Sequence, residues 1–234
     1  MGKNKLIRFA ENETFGNIFQ PSFSEVFGID YHMKGKWHAE YFKNTNPIVI
    51  ELGCGKGEYT VGMARVNPDK NYIGFDIKGA RLWRGAKTAV EENLGNVAFI
   101  RNRIENILSF FEPGEVSEIW ITFPDPQLKS ARALKRLTSS RFLNRYKQFL
   151  KPGGVVHLKT DSQELHEYTK SVLEHNSLKV NHCTNDLYNS NLPNPFLSIK
   201  TFYEQQFLEQ GKTITYLNFE LNRVDPIQEP PSEE

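Results

Sequence analysis

Apolar and polar positions along this 234-residue chain fall into blocks whose period changes in a regular way. Short runs rich in β-branched and aliphatic residues, the composition of a buried strand, occupy 47–52, 72–75, 97–100, 117–122 and 155–158. Stretches with helical spacing lie between and after them: 59–66, 78–93 with Leu82, Ala86 and Val90 on one side, a short 104–111, 139–150 and 161–175. Strands that alternate with helices predict an α/β fold with a parallel, doubly wound sheet. Beyond Asn176 the pattern changes to strands at 178–183 and 213–221, separated by a Pro/Asn-rich loop at 189–195 and a helix from about 198 to 210. In a parallel sheet, ligands sit beyond the carboxyl ends of the strands, where Gly53, Asp76, Asn102, Asp125 and Asp161 fall.

The first strand runs straight into Glu51-Leu52-Gly53-Cys54-Gly55-Lys56-Gly57-Glu58. Glycine at alternate positions lets the backbone take φ > 0 and lets a ligand approach the main chain, with the N–H groups of the next helix aimed at the same spot. Asp76 ends the next apolar run, at the distance where a nucleotide-binding unit sets a carboxylate on ribose hydroxyls. The spacing is not that of a dinucleotide fingerprint, G-x-G-x-x-G, and Lys56 lacks the spacing and the following hydroxyl of a phosphate loop. Glu51 and Glu58 would repel a pyrophosphate and suit an ammonium or sulfonium. The E-x-G-x-G-x-G pattern resembles the first motif of class I S-adenosylmethionine methyltransferases.

The flanks divide the chain into an N-terminal arm with a short helix (1–44), a main domain (45–222) and an acidic, proline-rich tail (223–234) expected to be disordered. The arm mixes Lys3, Lys5 and Arg8 with Phe9, Phe15, Phe19, Phe23 and Phe27, and Pro21 argues against one continuous helix. Either it packs on the domain through its aromatics, or its basic residues also touch a phosphate backbone. At 33–43 a short helix is expected, with Trp37 and Tyr41 on one side.

Composition narrows the chemistry. Cys54 and Cys183 are far apart and without metal-ligand spacing, so neither a disulfide framework nor a zinc site is indicated, and a reducing cytoplasm fits. A small residue filling the turn explains Cys54 better than a nucleophile does. None of the six histidines forms a ligand pair. No apolar run reaches membrane-span length and the N-terminus lacks a signal-peptide core, so no membrane association is expected. Net charge is +1, so any nucleic-acid surface must be local.

Such a surface follows the 117–122 strand. Phe123-Pro124-Asp125-Pro126 brackets Asp125 between two prolines, which drive Phe123 and Asp125 out of helix toward extended geometry; a rigid functional loop and a plain surface loop both fit. Lys129, Arg132, Lys135, Arg136, Arg141, Arg145, Lys147, Lys151 and Lys159 then follow with no acid before Asp161. Unopposed cations beside the crevice favour phosphates, and the 129–136 loop favours RNA. Arg141 and Arg145 can instead belong to the solvated side of a helix that buries Phe142, Tyr146 and Phe149. Asp161 can cap its helix in a box with Glu164, and Glu204 can be an ordinary surface residue.

Four segments in order carry a more specific resemblance: Ile50-Glu51-Leu52-Gly53-Cys54-Gly55-Lys56-Gly57, Phe123-Pro124-Asp125-Pro126 with its basic loop, His157-Leu158-Lys159-Thr160-Asp161, and Thr201-Phe202-Tyr203-Glu204. Together they look like the bacterial tRNA (guanine-N7-)-methyltransferase family over about residues 45–221. That resemblance implies a Rossmann-like, mostly parallel seven-stranded sheet with an antiparallel last strand, and methyl transfer from S-adenosylmethionine to N7 of guanine 46 in the tRNA variable loop, with no metal. It implies that Glu51, Gly53, Gly55, Asp76, Asn102 and Asp125 line the cofactor site, and that Asp125 is also catalytic. Lys129, Asp161, Thr201, Phe202, Tyr203 and Glu204 would contact the guanosine or its tRNA. A cytoplasmic monomer or homodimer without an obligate protein partner fits. Two positions depart from the family pattern: Gln127 stands where Trp is usual, and Asn102 where many members have an acid. A nucleotide-dependent oxidoreductase, a non-catalytic tRNA-binding module and a methyltransferase acting on another RNA site, a protein or a small molecule are the alternatives.

Overall fold

The computed structural model describes residues 3–222 and 224–231. Helix α1 (Lys3–Asn12) and a two-residue strand β1 (Ile18–Phe19) precede the domain. The alternating part contains β2 (Ile48–Leu52), α2 (Glu58–Val66), β3 (Asn71–Asp76), α3 (Gly79–Glu91), β4 (Val97–Arg101), β5 (Val116–Thr122), α4 (Ser140–Tyr146), β6 (Leu150–Thr160) and α5 (Gln163–His175). Strand β7 (Val180–Thr184), helix α6 (Phe202–Glu209) and strand β8 (Thr215–Glu220) complete it. The strand order is β1-β4-β3-β2-β5-β6-β8-β7, with β8 antiparallel to both of its neighbours and the other pairs parallel.

The sheet therefore has eight strands among the described residues, one more than the sequence predicts. The addition is β1, which pairs with β4 at Ile18 and Phe99 and covers an edge. Two residues are too few to give a period in the sequence. Strand β2 is buried along its whole length because both faces are covered. Ile48, Ile50 and Leu52 face one core with Phe142, Leu165 and Trp37; Val49 faces the other with Tyr59, Leu82 and Phe99.

Several local expectations are corrected. The arm docks only in part: Asn12 Nδ2 donates to Gly79 O at 3.0 Å and Asn17 Nδ2 to Ala86 O at 3.1 Å, but Phe23 and Phe27 are 60% and 64% exposed. These two rings stack on each other at 4.5 Å instead of on the domain. Val90 is also exposed, and Ala89 joins Leu82 and Ala86 on the buried side of α3 in its place. The helix expected at 33–43 is a wide π-helical stretch, Trp37–Phe42, anchored where Trp37 Nε1 donates to Phe110 O at 2.8 Å. Helix α4 stops at Tyr146, and Leu150 already belongs to β6. Ser162, not Asp161, caps α5: its Oγ accepts from Leu165 N at 3.2 Å.

The acidic tail was expected to be disordered, yet residues 224–231 lie as a strap over α4 and α5. Ile227 is buried, and its backbone N and O pair with the two ends of the Asn144 amide at 2.9 and 2.8 Å. Asn176 grips Gln228 in the same reciprocal way, at 2.8 Å each. The composition contains one apolar anchor, Ile227, and the partners that hold it come from distant helices. Glu233 and Glu234 lie outside the described residues.

The turn after β2 depends on backbone freedom at Gly57, whose φ is +70°. A Cβ there would lie 2.6 Å from Phe99 Cε1 and 3.1 Å from Gly85 Cα. Gly57→Ala should therefore destabilise the protein by about 1–3 kcal/mol, read as a lower urea midpoint at unchanged m-value.

Candidate active site

The chain leaves β2 through a turn that β3 fixes. Gly53 N and Cys54 N donate to Phe75 O at 2.7 and 3.2 Å, and Gly55 N donates to Asp76 Oδ2 at 2.9 Å. Lys78 N donates to Asp76 Oδ1 at 2.7 Å, so the Asp76 carboxylate is oriented by main-chain donors on both oxygens. Glu51 points to the α2 side of the sheet, as the strand period requires. Its carboxylate accepts from Thr60 Oγ1, and from Thr122 Oγ1 at 2.5 Å. Burial pushes the Glu51 carboxyl up to about 7, against the opposing effect of the two threonine hydrogen bonds. The Cys54 thiol is also buried and pushed up, chiefly by burial, so Cys54 is a packing residue of the turn.

Two adjoining cavities open around this turn and share Gly53, Arg81 and Phe123 in their walls. One, about 350 Å³, is lined by Glu51, Gly55, Thr122, Thr201 and Tyr203. The other, about 470 Å³, is lined by Asp76, Asn102, Asp125, Lys135 and Leu137. The structure thus brings together every residue predicted for the cofactor. A carboxylate pair divided between two halves of a cleft, one beside neutral hydroxyls and one set by backbone N–H groups, fits a ligand with a cationic amino-acid end and a ribose. This pair of acceptors therefore fits the cofactor that the sequence implies.

The predicted substrate residues separate. Thr201 and Tyr203 line the smaller cavity, and Phe202 lies outside it, 46% exposed, with Lys56 Nζ 4.2 Å from its ring. Lys129 is exposed and lines neither cavity. Asp161 is ion-paired with Lys212 at 2.6 Å and lines neither cavity. Glu204, expected to touch substrate or lie on the surface, is fully buried and ion-paired at 2.8 Å with Lys159, itself fully buried. It also closes a capping box with Thr201 and accepts from Tyr188 Oη at 2.5 Å. Lys159 Nζ donates to Leu197 O and Ile199 O at 3.2 and 2.9 Å. The pair sets the start of α6, and Glu204 reaches the site only through Thr201 and Tyr203.

The Pro-Asp-Pro loop is also tighter than expected. Phe123 is not extended: its φ is +48°, and Gln127 follows with φ +47°. Gln127 N donates to Asp125 Oδ1 at 3.1 Å. Arg136, taken from the sequence as a free cation, donates from Nε to Pro126 O and Gln127 O at 3.2 and 3.3 Å. Phe142, Tyr146 and Phe149 are buried, and Arg141 is exposed, as the helical pattern implies. His157 is buried, stacked on Trp120 at 3.9 Å and bonded to Tyr216 Oη; burial lowers it to about 4, leaving it neutral and structural. Asn102 turns its carbonyl toward Arg103 N and Asn106 Nδ2, both at 2.9 Å. Sequence reasoning missed Arg81, which borders both cavities from the first turn of α3, and Thr122, whose hydroxyl holds Glu51. The parallel register of β2 with β5 sets Glu51 opposite Trp120, and Thr122, two residues on, points to the same face. Among the described residues no group of three or more His, Cys, Asp or Glu could hold a metal ion, and no helix is long and apolar enough to cross a membrane.

Comparison with known proteins agrees with this architecture. A family model described as "Putative methyltransferase" matches residues 45–217. The chain is 57% identical over 220 residues to the tRNA (guanine-N(7)-)-methyltransferase of Christiangramia forsetii, covering 94% of this chain and 98% of that one. It is 53% identical over 230 residues to the protein of the same name from Bacteroides thetaiotaomicron, covering 98% and 90%. Among solved structures, the 16S rRNA methyltransferase KamB superposes with a TM-score of 0.59 at 16% identity, covering 77% of this chain and 90% of that one. A variant of the 16S rRNA (adenine(1408)-N(1))-methyltransferase from Catenulisporales acidiphilia, solved with its cosubstrate SAM, superposes with a TM-score of 0.53 at 16% identity, covering 83% and 92%. These two likenesses show the class I methyltransferase fold. With the glycine turn, Asp76 and the Pro-Asp-Pro loop converging on one cleft, and relatives this similar over nearly the whole length, the chain belongs to the tRNA (guanine-N(7)-)-methyltransferase family.

Proposed function

We propose that this protein transfers a methyl group from S-adenosylmethionine to N7 of a guanine in tRNA, at position 46 of the variable loop, in the cytoplasm. The observation that carries the reading is the meeting of Glu51, Asp76 and Asp125 at two cavities that share Gly53. Glu51 and the Gly53–Gly55 backbone would hold the amino-acid end of the cofactor, Asp76 its ribose, and the wall around Asn102 its adenine. When bound, the cofactor supplies an electrophilic methyl group on a sulfonium.

Guanine N7 has an in-plane lone pair and no proton, so the residues need not provide a general base. Their work is placement, which can be worth several orders of magnitude in rate. Asp125, exposed at the rim of the larger cavity, can accept N–H bonds from the guanine edge and offset the positive charge that the purine acquires. Tyr203, at the smaller cavity, and Phe202, outside it, offer aromatic faces to a base, and Lys129 and Arg132 extend into solvent as phosphate partners.

The decisive experiment incubates the protein with unmodified tRNA and methyl-labelled S-adenosylmethionine and identifies the labelled nucleoside by mass. Label in 7-methylguanosine is expected; label in another nucleoside overturns the assignment. In that assay Asp125→Ala should lose about a hundredfold or more in turnover with little loss of cofactor affinity. Neutralising Lys129 and Arg132 together should weaken tRNA binding and flatten its salt dependence by about two charges. Cofactor affinity should rise as pH passes upward through about 7, because Glu51 is then ionised before a cationic ligand arrives. The same group has the opposite effect on the free protein. Between its ordinary value of 4.5 and about 7 the folded state holds a proton that the unfolded state has lost, so its contribution to stability falls as pH rises. Glu51→Gln should remove both slopes, read by calorimetric titration and by thermal unfolding at pH 5 and 8.

A further inference from the structure

The ordered strap and the Pro-Asp-Pro loop are linked by a continuous set of contacts. Glu229 of the strap accepts from Ser140 N through Oε1 and from Tyr168 Oη through Oε2, each at 2.7 Å. The ring of Tyr168 lies 4.1 Å under the Arg136 guanidinium. That guanidinium donates to the carbonyls of Pro126 and Gln127, and Gln127 N in turn donates to Asp125.

Each link has a reason to hold its geometry. A planar guanidinium presents its donors in a fixed fork, so stacking on one aromatic face sets the direction of its N–H groups. The Tyr168 ring can slide unless its hydroxyl is tied, and Glu229 ties it. Glu229 is held by the strap, which the buried Ile227 and the reciprocal bonds of Asn144 and Asn176 fix to two helices. At the other end, Gln127 takes a left-handed backbone at φ +47°, a conformation a non-glycine residue keeps only when its surroundings impose it. Two guanidinium bonds to its carbonyl supply that constraint.

We infer that Glu229 and Tyr168 are positioning residues for Asp125, acting through Arg136 to hold the Pro126–Gln127 carbonyls and so the direction of the aspartate side chain. The inference rests on the proposed transfer reaction, in which Asp125 faces the guanine. It gives the strap a part in turnover although none of its residues reaches the cavities, and it assigns Arg136 to the loop instead of to RNA phosphate.

The test uses the full chain carrying Glu229→Ala, with amide hydrogen exchange and steady-state kinetics measured side by side. Exchange across residues 125–128 should accelerate. Turnover per cofactor-binding site should fall roughly tenfold to a hundredfold, with the Kd for S-adenosylmethionine and the KM for tRNA unchanged. Glu229→Gln should recover most of the turnover, because its amide can still accept from Ser140 N and bond the tyrosine hydroxyl. In an Asp125→Ala background the Glu229→Ala change should be silent. Tyr168→Phe, which keeps the ring under Arg136 and removes only the hydroxyl, repeats the test without opening the strap.

Unchanged exchange at 125–128 overturns the linkage. Faster exchange with wild-type turnover, or an equal further loss in the Asp125→Ala background, overturns the positioning role. Absence of 7-methylguanosine with the unaltered protein would sink the transfer reaction and the catalytic half of the inference with it; the exchange measurement tells that failure apart from failure of the linkage.

Discussion

A parallel sheet covered on both faces has only its edges and its strand ends open to solvent, and the rest of this molecule follows from that constraint. Strand β2 is buried throughout, flanked by β3 and β5, so its chain must leave at the carboxyl end and turn at once. Because the neighbours run in the same direction, their carboxyl ends arrive beside it, and Asp76, Asn102 and the Phe123–Gln127 loop come to one cleft without any long-range search. Polar groups at the strand ends can meet a ligand there, whereas those inside the protein must be satisfied by one another.

The second half of the site is held by an interior ion pair. Lys159 is the next-to-last residue of β6, and its ammonium is met by Glu204 and by the carbonyls of Leu197 and Ile199. Burial lowers the Lys159 ammonium while Glu204 opposes the shift, which is the balance expected of a charge whose hydrogen-bonding capacity is filled. The pair joins the parallel part of the sheet to α6 and leaves Tyr203 at the cleft and Phe202 beside it. A triad of alternating roles results from three consecutive residues: Tyr203 lines the cavity, Phe202 lies outside it under Lys56, and Glu204 is inside the protein.

The sequence discloses most of this where signals are local. Apolar runs mark six of the strands within one or two residues and β6 only from Val155, five residues after its start at Leu150; the glycine spacing marks the turn, and the acids that end strands mark the cleft. What stayed hidden depends on partners far away in the chain. Ile18–Phe19 is a strand only because β4 has a free edge. Glu204 looks like a surface residue until Lys159 is found behind it, and Arg136 looks like a free cation until Tyr168 and the Pro126 carbonyl are seen around it. Ser162 displaces Asp161 as the cap of α5, a choice between adjacent residues that spacing alone leaves open. The tail's composition suggested disorder, but the reciprocal amide bonds of Asn144 and Asn176 provide the ordering that a single isoleucine cannot.

The strap also has a temporal meaning. A ribosome delivers the Pro-Asp-Pro loop about a hundred residues before it delivers Glu229, and β8, which completes the sheet, comes between them. The cleft can therefore assemble and the nascent domain can compact while the loop still lacks its outermost support. Support from the strap reaches the loop only after β8 has emerged, which separates the moment the fold is reached from the moment its machinery is set.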